Sequence, residues 1–191
     1  MSRLRLSPLL VLAVFAAQAC DPFTIDNRDP TPVIEESTAK AEPQAPGAPE
    51  SDFGFRFERG ACFSDVLDTF EGTFTKDLVP DPPVTIPLRM SSEQMQAVYA
   101  KMVEMDFFGY PAVFAIATPT SGLMTIQTPA ERYRIVVTSG GASKTLEWVD
   151  EIVDPTSREA DDLRALFDMI EGMITASPQY QQLPERSGGC A

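Results

Sequence analysis

Histidine is absent from this 191-residue chain, and its absence removes more chemistry than any motif present supplies. Ser-His-Asp and Cys-His mechanisms, the two-histidine metalloprotease helix and imidazole zinc sites are all excluded. Cysteine is scarce: Cys20, Cys62 and Cys190 are the only three, an odd count that leaves one sulfur outside any internal pairing scheme. The longest apolar run, residues 9–17, holds nine residues, far short of the ~20 that a permanent membrane helix requires. Basic residues are also few, 15 against 28 acids for a formal charge of -13, and such a field repels nucleic acid and anionic headgroups.

Carboxylate pairs, a Ser-Lys dyad and calcium loops survive the loss of histidine, so each has its own signature to meet. Ser37 and Lys40 have the spacing of a nucleophile and its base, but they sit in a proline-rich tract with no core to desolvate the lysine. Asp150, Glu151, Asp154, Asp161 and Asp162 cluster along the chain without the alternating spacing and central glycine of a calcium loop. Acids in that position suit the amino terminus of a following helix. The sequence therefore assigns no catalytic residue, no cofactor and no metal ligand, and points away from an enzyme.

What is present begins with an address. Arg3 and Arg5 precede the apolar run, and Ala17-Gln18-Ala19 places small residues at a cleavage site before Cys20, so residues 1–19 read as a signal peptide. A cysteine at the first mature position resembles the lipobox of bacterial lipoproteins. That resemblance implies a diacylglycerol on the Cys20 sulfur, an acyl group such as palmitate on the new amino terminus, and a membrane-anchored protein of the cell envelope facing the periplasm or exterior. The lipobox usually has leucine where Ala17 stands, and Ala17-Gln18-Ala19 fits ordinary signal peptidase at the same bond. Cleavage removes Arg3 and Arg5 and no acid, taking the charge from -13 to -15. Lipidation of Cys20 leaves Cys62 and Cys190, expected to form a disulfide once the Ser187-Gly188-Gly189 stretch swings the tail back; two separate thiols are the alternative.

Residues 20–52 carry the lipidated cysteine and an acidic spacer with six prolines, too poor in apolar mass to offset chain entropy. Residues 53–180 suit one domain, and residues 181–191 read as a flexible tail. Phe53, Phe55 and Phe57 alternate as in a half-buried strand, and residues 66–70 and 73–79 flank Glu71-Gly72 as a hairpin. Residues 84–88 form a short edge segment after the prolines. Ser91 and Gln94 predict a capping box, with Met95, Val98, Tyr99, Met102 and Met105 on one helical stripe. Tyr133, Ile135 and Val137 alternate ahead of Gly140-Gly141, and residues 144–149 return as the second strand of a hairpin with Trp148 anchoring the core. A last helix is predicted with Thr156 and Glu159 as its capping box and Leu163, Leu166, Phe167, Ile170 and Met173 or Ile174 inward. The order is ββαββα: an α+β two-layer sandwich in which an antiparallel sheet of about four or more strands is covered on one face by two helices.

Gly60-Ala61-Cys62, Glu104-Met105-Asp106-Phe107-Phe108 and the stretch from Tyr133 to Trp148 are similar to small secreted bacterial domains of uncharacterised function and, more loosely, to emfourin-like inhibitors of thermolysin-type metalloproteases. The resemblance implies inhibition by presenting a loop to a protease cleft, and the chain departs from it by a longer insertion after the first helix. That insertion, residues 107–130, contains no charged residue. Phe114, Ile116, Leu123, Met124 and Ile126 supply its apolar mass. Either it adds two strands, residues 113–118 and 123–127, to the same core, or it offers a surface or sheet edge to an extracytoplasmic protein. The function these readings imply is a membrane-tethered, non-enzymatic binding or scaffold module, with the metalloprotease inhibitor as the alternative.

Overall fold

The computed structural model describes residues 49–62, 64–117 and 125–188. They form an α+β fold with a mixed sheet of seven strands and two α-helices among the described residues. The strands are β1 (Gly54–Gly60), β2 (Asp65–Asp68), β3 (Thr73–Leu78), β4 (Asp81–Pro87), β5 (Val113–Phe114), β6 (Thr125–Ser139) and β7 (Ala142–Val153); helix α1 is Ser92–Glu104 and α2 is Arg158–Thr175. Across the sheet the order is β4-β3-β2-β1-β6-β7-β5.

The sheet is larger than the four strands that the periodicity makes plain. β2 and β3 pair as the expected hairpin, Leu67 opposite Phe74. The proline stretch then continues as β4 along the sheet edge, pairing Phe74 with Ile86 and Lys76 with Val84. An edge strand tolerates Pro82, Pro83 and Pro87 because it needs amide donors on one side only, and prolines there also discourage pairing with another chain. β5 pairs in parallel with β7, Phe114 opposite Trp148, so the sheet is mixed rather than wholly antiparallel. Residues 113–114 and 125–127 do not pair with each other as a separate hairpin; Thr125 and Ile126 extend β6 against Val153 and Ile152.

Alternation decides what each strand buries. Phe55 and Phe57 on β1, Leu67 on β2, Phe74 on β3, Ile135 and Val137 on β6 and Leu146 and Trp148 on β7 all lie on one face. Against them pack Val98 and Met102 of α1 and Leu163, Leu166, Phe167 and Ile170 of α2, each essentially inaccessible. Phe167 stacks on Phe57 at 5.2 Å and on Tyr133 at 4.6 Å between ring centres. Such offset pairs add to the burial itself.

The helix starts follow local chemistry. The Ser91 side chain accepts from the Gln94 amide while the Gln94 side chain accepts from the Ser91 amide, completing the expected capping box. For α2 the cap is Ser157, not Thr156: Asp154 takes both the amide and the hydroxyl of Thr156, so the helix opens one residue later with Ser157 accepting from the Ala160 amide. Those two Thr156 bonds hold the Asp154 carboxyl below its ordinary range.

Candidate binding surface on the outer face of the sheet

Among the described residues the helices leave one face of the sheet uncovered, and its side chains are set by the same alternation. Between Phe55, Phe57 and Arg59, β1 presents Arg56 and Glu58; β6 presents Arg132 and Arg134, and β7 presents Glu147 and Val149. The registers place Glu58 opposite Arg134, and Arg134 opposite Glu147. Arg134 Nη1 donates to Glu58 Oε1 at 3.2 Å and its Nε donates to Glu147 Oε1 at 3.2 Å. Arg56 Nε reaches the same Glu58 oxygen at 2.9 Å and its Nη1 reaches Asp68 at 3.1 Å. A ladder of alternating charge thus runs across β2, β1, β6 and β7. The bond to Glu58, followed by that to Asp68, holds the Arg56 guanidinium above its ordinary pKa.

At the end of this ladder lies a shallow concavity of about 410 Å³, lined among others by Glu58, Gly60, Ala61, Ser64, Arg132 and Val149. Opposite Arg132 in the β1–β6 ladder, Gly60 has a φ of 148°, a backbone region that favours glycine. Arg132 is exposed beside that glycine, and its guanidinium makes no ion pair among the described residues. Val149 is 43% exposed there. Beside the charge ladder the surface therefore offers an arginine with no ion pair among the described residues, a serine hydroxyl and an apolar side chain.

The same region of the inner face is built differently. Arg164 of α2 grips Asp150 of β7 with two bonds, 2.7 and 2.8 Å, while lying 5.3 Å over the Trp148 ring. Arg59 pairs with Glu171 of α2, leaving its Nε buried without a hydrogen-bond partner among the described residues. Burial, followed by the charge of Glu131, pushes the Tyr133 hydroxyl up to about 12. Among the described residues no three His, Cys, Asp or Glu side chains come together as a metal site, and no helix is long and apolar enough to cross a membrane.

The residues singled out from the sequence are dispersed. Phe114 and Ile116, offered as a partner surface, are buried at 9% and 8% exposure; β5 docks on β7 and turns Phe114 edge-on to Trp148 at 5.3 Å. Burial takes them out of any surface on the folded domain. Ile126 is 56% exposed, on the part of β6 that runs past the end of β1. Leu123, Met124, Cys20 and Cys190 lie outside the described residues. Cys62 is disulfide-bonded.

Sequence reasoning passes over the charge ladder, although its signal is present: Arg56 and Glu58 alternate with the phenylalanines of β1, as Arg132 and Arg134 alternate with Tyr133 and Ile135. Which carboxylate faces which arginine is set by register between strands distant in the chain. Arg56 and Asp68 are 12 residues apart, and Glu58 and Arg134 are 76 apart, so local spacing shows the face each charge lies on and not its partner. No protein-family model matches the chain, and no curated protein matches it.

Proposed function

We propose that this protein is a membrane-tethered extracytoplasmic binding module, anchored through Cys20 and engaging another envelope or exported protein with the outer face of β1, β6 and β7. The observation that carries this reading is where the chain enters the domain. The Asp52 carboxylate accepts from the amides of Gly140 and Gly141 at 2.7 Å each. Those two glycines form the β6–β7 turn, both with positive φ, as a two-residue hairpin turn requires. The amide of Gly141, followed by that of Gly140, holds the Asp52 carboxyl below its ordinary range.

That clamp holds Asp52 at one end of the sheet. The concavity around Gly60 and Arg132 lies toward the other end of the same strands, the length of β1 away, about 20 Å at the rise of a strand. Asp52 is thus held at the turn end, and the Arg132 end presents the exposed arginine and Val149 that a partner would meet. An inhibitor acting on a metalloprotease cleft is the second reading, favoured by the β6–β7 ribbon that runs past β1 with Ile126 and Val153 exposed.

The tether is tested by blocking lipoprotein signal peptidase with globomycin and analysing the mature chain by mass spectrometry. The expected result is accumulation of the unprocessed precursor, and a diacylglyceryl thioether on Cys20 in untreated cells. Normal processing under globomycin with an unmodified Cys20 would overturn the reading. A panel of thermolysin-like proteases separates the second reading, which requires inhibition by the mature protein.

A further inference from the structure

We propose that Arg186 is a positioning residue for the concavity on the outer face, acting from the helix-covered face through Asp65 and Asp77 on Ser64. Its consequence for recognition rests on the binding role proposed above for that concavity; the positioning itself does not. Residues 184–188 are docked where the sequence reads a flexible tail. Lys76 donates to the Pro184 carbonyl at 2.9 Å and lies 5.0 Å over the Tyr180 ring. Arg186 Nη2 donates to both oxygens of Asp65 at 2.8 and 2.9 Å, and its Nε donates to the Asp77 carbonyl at 2.7 Å. Asp65 and Lys76 are only 8% and 5% exposed, and a buried charge left without its partner is costly. The docked segment supplies those partners.

From Arg186 the bonds lead across the sheet. Asp65 also accepts from the Asp77 amide at 2.9 Å, so Arg186 and Asp65 hold both backbone groups of Asp77. Alternation on β3 buries Phe74, Lys76 and Leu78 and turns the Asp77 side chain to the outer face. There its Oδ2 accepts from the Ser64 amide at 3.0 Å. Ser64 lines the concavity with Gly60 and Arg132 and directly precedes Asp65 in the chain. It is thereby fixed twice, by its peptide link to Asp65 and by its bond to Asp77, and Arg186 grips both of those residues. No residue of the docked segment lines the concavity itself, so the effect is transmitted rather than direct.

Two states of the segment differ at the rim. Docked, it holds Asp65, Asp77 and Ser64 in place; released, it takes the two-oxygen grip from Asp65 and the Ser64 amide loosens. A partner that grips the held rim favours docking, and docking strengthens the partner by the same factor.

The test follows backbone amides by NMR in the full mature chain. In Arg186→Ala, hydrogen exchange at the Asp77 amide should quicken at least about tenfold, and the Ser64 order parameter should fall from about 0.85 toward 0.6. Gly140 and Gly141, in the turn at the far end of the sheet, should keep theirs. Arg186→Lys retains the cation without the two-oxygen grip and should give intermediate values. Ser187→Ala removes the bond from the segment to Asp81, which lies off this route, and should leave Ser64 unchanged. Asp77→Ala cuts the last bond without touching the Arg186–Asp65 pair and should loosen Ser64 on its own, which tests the route even where Arg186→Ala unfolds the domain. A Ser64 amide that stays rigid in Asp77→Ala or in folded Arg186→Ala, or that loosens equally in Ser187→Ala, overturns the proposal. With a photo-crosslinking amino acid at Val149, the adduct in intact cells should fall at least about fivefold in Arg186→Ala; an undiminished adduct overturns the coupling to recognition. If the wild type forms no adduct while Ser64 still responds to Arg186→Ala, the binding role fails and the positioning of Ser64 stands.

Discussion

The two faces of β1, β6 and β7 are written by the same strands in alternate residues, yet they use opposite physics. Inward, Phe57, Tyr133 and Trp148 pack with Phe167 into one aromatic cluster beneath α2. Outward, Glu58, Arg134 and Glu147 pair in water-exposed rows. Apolar burial is non-directional and large, whereas exposed ion pairs are individually weak and screened by salt. The inner face thus holds the fold together, and the outer face can vary at little cost in stability.

The comparison breaks first at Phe57. Phe57→Ala empties a site that is 1% exposed and should cost about 3–5 kcal/mol in denaturant unfolding; a loss below about 1 kcal/mol would remove the inner face as the source of stability. Phe114→Ser should also lower Tm sharply, because it puts a hydroxyl in place of a buried ring.

A smaller effect sharpens the account through pH. The Tyr133 hydroxyl, raised to about 12 by burial, is neutral in the folded protein at pH values where the unfolded chain has begun to ionise. The unfolded state then binds fewer protons, so the stability from this group is complete below about pH 10 and is lost as pH rises toward 12. Tyr133→Phe should keep its Tm over that interval relative to wild type; parallel curves would show that this hydroxyl stays solvated. The smallest effect is on the outer face, where Arg134→Ala should change stability by no more than about 1 kcal/mol even though it removes two ion pairs.

Much of this architecture is legible in the sequence because it is local. The alternation of Phe55 and Phe57, the Ser91–Gln94 capping box, the two glycines at 140 and 141 and the stripe from Leu163 to Ile174 each carry their meaning within a few residues. β4 is harder, since Pro82 and Pro83 read as breakers until an edge position makes them harmless. β5 is too short to show a period at all, and its parallel docking on β7 is a tertiary choice. Thr156 has the spacing of a helix cap, but Asp154 competes for it. The ion pair of Arg186 with Asp65 has no local signal: the two are 121 residues apart, and nothing near either predicts the other. The candidate surface is half legible, its arginines visible by alternation and its concavity set by the pairing of strands distant in the chain.

The central claim, that the uncovered face meets a partner, is tested most directly by placing a photo-crosslinking amino acid at Val149 on that face and, in a second variant, at Val103 on α1. Both positions are comparably exposed, 43% and 50%, so accessibility does not separate them. Irradiation in intact cells should give a discrete protein adduct at Val149 that is lost when Arg132 is changed to Glu, and none at Val103. Equal adducts at both positions, or adducts at Val103 alone, would contradict the account.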